Sequence, residues 1–300
     1  MPNLIPYTKH FETSEDLVKL LVQRGLTIDD TEKAEHYLDN IGYYRLSAYM
    51  YPLLQQPKSA HKYKARASFR KVMMLYRFDK KLRMLIFNEI EKIEIAIRRA
   101  IMQITAEMTD DPFWLTNPIY FSNQQYFNDT LRTIKKEYDN SREEFINHFR
   151  NTYSNPFPPV WIIGELLTIG NINAIYRNIR QNRIRKRIAK RFGLPIDVFE
   201  SWLTIIAVTR NACGHHARVW NKQNAIAPAV LNNPVHDWIT LSSDPLRIYF
   251  NLCIIKYFLG IISPGNDMLA KLKQLLADYP EIDTAAMGFP KGWEEEPLWK

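Results

Sequence analysis

The sequence predicts an all-α fold, a bundle of long helices, on three observations. Four apolar segments, 69–108, 160–179, 197–218 and 244–262, repeat their hydrophobic residues at three- and four-residue steps, the period of a helix with one buried face. Glycine is scarce, 10 in 300 residues, which suits helices with short connections. No stretch alternates apolar and polar residues well enough to compete as a strand.

Each element follows in order. Thr13-Ser14-Glu15-Asp16 reads as a helix start with an acidic first turn, and Gly25 as its stop. A second helix begins near Asp29-Asp30 and carries Ala34, Tyr37, Leu38 and Ile41. Polar residues 55–67 read as a loop. From Phe69 to Met108, Leu75, Phe78, Leu82, Ile86, Ile90, Ile93, Ile97 and Ile101 make one continuous stripe that neither Gly nor Pro interrupts, and Asp110-Asp111-Pro112 ends it. Helices are expected over 123–138 and near 141–150, with Pro156, Pro158 and Pro159 marking a boundary. A strong helix follows over 160–179, then a short basic one over 181–192. After the break at Gly193-Leu194-Pro195 comes a helix from Asp197 to Arg218 and an irregular stretch to Asp237. Ser243-Asp244-Pro245 reads as a cap opening a helix to Ile262, and 267–278 is the last helix. The tail after Pro280 reads as loosely held. The expected organisation is an N-terminal helical extension over 1–67, a helical domain over 68–279 and a tail over 280–300.

Hydrophobic residues at 46% and charged residues at 24% are ordinary for a globular protein, so a sizeable core is available. The net charge of +8 favours a polyanionic partner. Two cysteines, Cys213 and Cys253, cannot make a disulfide framework and fit a reducing compartment. The start MPNLIPYTKHFETSED has no basic segment followed by an apolar run, so no signal peptide is read. The longest apolar stretch, 248–262, is broken by Asn251 and Lys256 and is too short to span a bilayer. A cytoplasmic protein with no membrane partner is expected.

The chemistry concentrates in Thr209-Arg210-Asn211-Ala212-Cys213-Gly214-His215-His216-Ala217-Arg218. On a helix, Asn211 and His215 share a face, so the amide can fix the imidazole tautomer. Arg210 and His215 lie about 140° apart round an ideal helix, so they meet only if Arg210 reaches across or the helix is distorted near Gly214. A His near neutral pKa and a guanidinium suit RNA cleavage without metal, one moving a proton and the other stabilising the crowded phosphate. The spacing alone is weak. Arg followed by four to six residues and then His occurs three times, where roughly 1.4 matches are expected by chance. The third match, Arg142 to His148, lacks a polar residue after Arg and is set aside. A polar helix end with a satisfied histidine pair is the plainer reading of the same residues. Cys213, His215 and His216 are too crowded to ligate one zinc, and there is no Gly-rich phosphate loop and no Gly-x-Ser-x-Gly. No metal and no cofactor is expected.

A second feature is basic. Arg177, Arg180, Arg183, Arg185, Lys186, Arg187, Lys190 and Arg191 crowd a stretch with no acid, which favours phosphates over a merely solvated face. Tyr43, Tyr44 and Tyr49 beside Arg45 can stack on unpaired bases, but core positions suit them better.

Several segments together resemble bacterial abortive-infection proteins of the AbiD/AbiF family. They are Gln23-Arg24-Gly25-Leu26, Ile41-Gly42-Tyr43-Tyr44-Arg45-Leu46-Ser47, Leu75-Tyr76-Arg77-Phe78-Asp79, Pro159-Val160-Trp161 with Gly164-Glu165, and Arg210-Asn211 with Cys213, His215-His216 and Trp220-Asn221. The likeness runs in order from about residue 13 to 262. That family is assigned to the HEPN superfamily, whose ribonucleases carry an Arg-polar-x-x-x-His motif. The resemblance implies a HEPN-type bundle with extra helices, and a catalytic set of Arg210, Asn211 and His215. His216 is a secondary candidate as a second proton donor, though such a neighbour more often points away from the site. An acidic residue, Glu91 or Glu94, near Arg98 on the long helix would orient the motif from a facing helix; a surface or inter-helix ion pair is the plainer reading of the same residues. The resemblance also implies a role in phage defence, RNA as partner and a homodimer pairing two motifs. An alternative is an RNA-binding protein associated with a structured small non-coding RNA, with regulated or no cleavage. A further alternative is a structural or antitoxin-like partner, which the intact motif disfavours.

Overall fold

The computed structural model describes residues 6–8 and 10–300. The N-terminal stretch read above for a signal peptide begins outside these residues. The fold is an all-α bundle, and among the described residues β-type pairing is limited to the isolated bridges Thr27–Ser68, Leu54–Tyr63 and Phe121–Ile179. The helices are α1 (Ser14–Gln23), α2 (Thr31–Ile41), α3 (Tyr43–Met50), α4 (Phe69–Thr109), α5 (Gln124–Asn140), α6 (Glu144–Thr152), α7 (Val160–Ile163), α8 (Ile169–Asn178), α9 (Asn182–Arg191), α10 (Ile196–Gly214), α11 (Ile248–Ile262) and α12 (Met268–Asp278). No single helix among the described residues is long and apolar enough to cross a membrane.

The chain forms two compact units. One holds the described residues up to Lys81 with Asp278–Ile282, and the other holds Leu82–Ala277 with Asp283–Lys300. In the first unit, a capping box between Thr13 and Asp16 starts α1 and the Asp30 carboxylate caps α2, each satisfying a backbone N–H that the helix leaves unpaired. Tyr49 is buried and donates its hydroxyl to the buried Asp79 at 2.6 Å, so it is a core residue. Tyr44 is exposed on α3, as is Arg45.

The second unit contains the motif. The stripe read from the sequence is its spine: Ile86, Ile90, Ile93, Ile97 and Ile101 of α4 are each 0% exposed. Helix α11 is apolar nearly all round, the mark of a central core helix, and α10 packs against it and against α8. Trp202 and Trp238 lie tilted against each other and both meet Tyr257 edge to face, as Phe258 meets Trp202. Ala229 is pinned to α10 by accepting from the Trp202 indole and donating to Ser201, which anchors the irregular stretch. Gly193 separates α9 from α10 at φ +65, where a Cβ would come within 2.7 Å of the His236 ring.

Four expectations are corrected here. The helix expected over 160–179 is broken. α7 passes into a 3₁₀ turn at Gly164–Leu166, and Thr168, with extended backbone, forms a capping box with Asn171 that starts α8 afresh. The helix expected to Arg218 ends at Gly214 in a Schellman motif. His216 takes the left-handed conformation at φ 57, its N–H reaches the Cys213 carbonyl, and the Ala217 N–H reaches Ala212. Asp244-Pro245 does not cap α11. Asp244 instead closes a tight turn through Leu246 and Arg247, and α11 begins at Ile248. The tail is not loosely held. Phe289, Trp293 and Trp299 pack on Tyr249 of α11, and the buried Glu296 carboxylate accepts from the Thr240 and Leu241 backbone N–H groups. Aromatic bulk, not a helical period, holds that tail, so periodicity could not reveal it.

Candidate active site

The motif occupies the last turn and the cap of α10, because Gly214 ends the helix and the left-handed His216 turns the chain away. His215 is the C-cap residue and is exposed, and its backbone N–H donates to the Asn211 carbonyl at 2.9 Å. That backbone bond is what joins 211 to 215. Among the described residues no bond runs from the Asn211 amide to the His215 ring, so the tautomer-fixing contact expected from the spacing is not made. His216 is exposed on the same turn.

The Arg210 guanidinium turns back toward the end of α10 and the facing helix α4. A Cβ on Gly214 would meet the Phe87 ring at 3.6 Å and Arg210 Nη1 at 3.9 Å, so Arg210 lies back over the residue next to His215. Its guanidinium sits 5.4 Å from the Phe87 ring centroid, within cation–π range. Its Nε lies 3.7 Å from Glu94 Oε2 on α4, an ion pair across the helices. Glu94 rather than Glu91 makes this contact, since Glu91 is on the exposed face of α4.

Glu94 is shared. Its other oxygen lies 3.2 Å from Arg98 Nη2, and Arg98 Nη1 binds Glu165 at 3.0 Å. Arg98 also donates to the Leu167 carbonyl at 3.2 Å. The side chains of Glu94 and Arg98 are 13% and 12% exposed, so their attraction is little screened. The result is a chain of alternating charges, Glu165–Arg98–Glu94–Arg210, ending at the motif. Sequence reading placed Glu94 and Arg98 together but missed Glu165 and Phe87. The Gly164-Glu165 dipeptide was visible as part of the family likeness, with nothing local to pair it with Arg98.

The basic run is corrected in one respect, for it has an acidic partner after all. Glu200 of α10 takes Arg185 at 3.0 Å and Arg177 at 3.8 Å. Arg180 points its guanidinium at the Ile119 carbonyl, and Arg183 donates to the Gln181 side chain. Lys186 is exposed. Arg187, Lys190 and Arg191 line a groove with Arg99 of α4. Arg45 belongs to the other unit.

No curated protein and no solved structure matches this chain. A family model described as Abi-like protein matches residues 36–221, more than half of the chain and ending just past the motif, so the chain belongs to the Abi-like family and is tied by it to abortive infection, a form of phage defence.

Proposed function

We propose that this chain is a metal-independent endoribonuclease of the HEPN type acting in phage defence. The observation that carries the reading is the Arg210 guanidinium lying near Gly214, the residue before the exposed His215, with Glu94 pairing with it from α4. In the reaction the RNA 2′-hydroxyl attacks the adjacent phosphorus and the 5′-oxygen leaves. An imidazole takes the 2′ proton or returns one to the 5′-oxygen. Arg210 stabilises the added negative charge on the phosphate oxygens. The products are a 2′,3′-cyclic phosphate and a 5′-hydroxyl. Asn211 and His216, both exposed beside His215, face the same substrate.

Each chain carries one such motif, whereas the reaction gains from a base and an acid together. A homodimer that apposes two motifs supplies both. Exposed apolar side chains near the motif support a subunit contact there: Met84 and Phe87 on α4, and Val208 two residues before Arg210.

The test is direct. His215→Ala is expected to abolish RNA cleavage with the fold intact by circular dichroism, and wild-type cleavage is expected to persist in EDTA with cyclic-phosphate ends. Undiminished cleavage by His215→Ala, or 5′-phosphate ends that require Mg²⁺, rejects the assignment.

A further inference from the structure

Around and beyond Arg98, the exposed side of α4 is a ridge of every fourth residue, Ile95, Arg99, Gln103 and Glu107, with a groove on each flank. One groove, of 720 Å³, lies between α4 and the Val160–Glu165 segment and is lined by the Trp161 indole, 58% exposed. The other, of 580 Å³, lies between α4 and the last turn of α9. Arg99, Gln103 and Glu107 line both.

Their chemistries differ. The α9 groove gathers Arg99, Arg187, Lys190 and Arg191 against one carboxylate, Glu107, and among the described residues none of the four cations has an acidic partner. Such a groove suits phosphates. In the Trp161 groove, Arg98 is already neutralised by Glu94 and Glu165, and Glu107, Asp110 and Asp111 line the far end. That groove repels a phosphate. It suits a flat ring stacked on the indole, with its amino edge turned to the carboxylates.

We propose that the two grooves form one track for single-stranded RNA, with phosphates held between Arg99 and α9 and an unpaired base stacked on Trp161. The proposal rests on the ribonuclease reading. Arg98 lines the base groove and binds the Glu94 that reaches Arg210, so a strand in the track leads to the motif. A base already paired in a duplex cannot present its face to the indole, so the site selects unpaired segments.

The experiment uses the full chain and a short 2′-O-methylated RNA strand, which binds but lacks the attacking hydroxyl. Trp161 is readable because the other six tryptophans are at most 9% exposed, so acrylamide quenching reports on this indole. The strand is expected to shield Trp161, and its duplex is not. Trp161→Ala is expected to weaken binding about tenfold, the scale of one stacked base. Arg99→Gln combined with Lys190→Gln is expected to weaken it further and to flatten the log–log salt slope by about 1.4. All three side chains are exposed, and unchanged circular dichroism checks the fold. Wild-type affinity in these variants, with Trp161 still quenchable in the complex, overturns the track and leaves the ribonuclease reading to the separate His215→Ala assay. Shielding of Trp161 without RNA, at concentrations where sedimentation shows a dimer, overturns it in favour of a second copy. No binding of the strand at all removes the track and the RNA reading together.

Discussion

At the scale of single residues, Glu94 is the side chain on which the motif geometry depends, since one carboxylate contacts both Arg98 and Arg210. Glu94→Gln keeps the shape and removes the charge. It is expected to lower kcat roughly tenfold, about 1.4 kcal/mol in the barrier, with KM little changed, because Glu94 positions Arg210 and does not itself touch the substrate. A variant that instead raises KM at constant kcat would show that Glu94 shapes the binding surface. Stability is expected to fall by about 1–3 kcal/mol, since Arg98 is left with the half-exposed Glu165 as its one charged partner among the described residues. The i, i+4 spacing of Glu94 and Arg98 was legible in the sequence because helix geometry is local. The Arg98–Glu165 pair was not, because 67 positions separate its members and only packing brings them together.

At the scale of elements, legibility follows the length of the apolar repeat. The period of α4 is uninterrupted over 41 residues, and its ends were read to within one residue. The break between α7 and α8 was hidden, because the apolar period runs on through a short cap that competes with it. That cap is testable. Thr168→Ala is expected to cost about 1 kcal/mol in urea unfolding, and Thr168→Ser most of that less, since serine keeps the oxygen that accepts the Asn171 N–H. Equal losses in the two variants would place the effect in the lost methyl group. The end of α10 was misread for a related reason. A left-handed C′ residue is usually Gly, and here His216 fills that place, so no glycine after the last turn announced the stop.

At the scale of the whole molecule, the helical class was legible because scarce glycine and four long periodic segments leave little else to build. The grouping of residues into two units was not, because α4 begins in one and continues in the other without a break in its pattern. The proposed subunit pairing also belongs to this scale. When His215→Ala and wild-type chains are mixed and allowed to exchange, activity is expected to fall below the wild-type fraction, since mixed pairs lose one of two imidazoles. Activity that tracks the wild-type fraction in a straight line would mean that each chain acts alone.

The burial of Phe289, Trp293 and Trp299 against Tyr249 has a consequence for the order in which the chain is made. Translation runs from the N-terminus, so residues 210–216 leave the ribosome well before the aromatic side chains that cover α11. A chain that stalls or is cut before residue 283 carries the whole motif but leaves Tyr249 without the rings that bury it. Incomplete synthesis therefore releases a destabilised product rather than a stable fold that carries the motif.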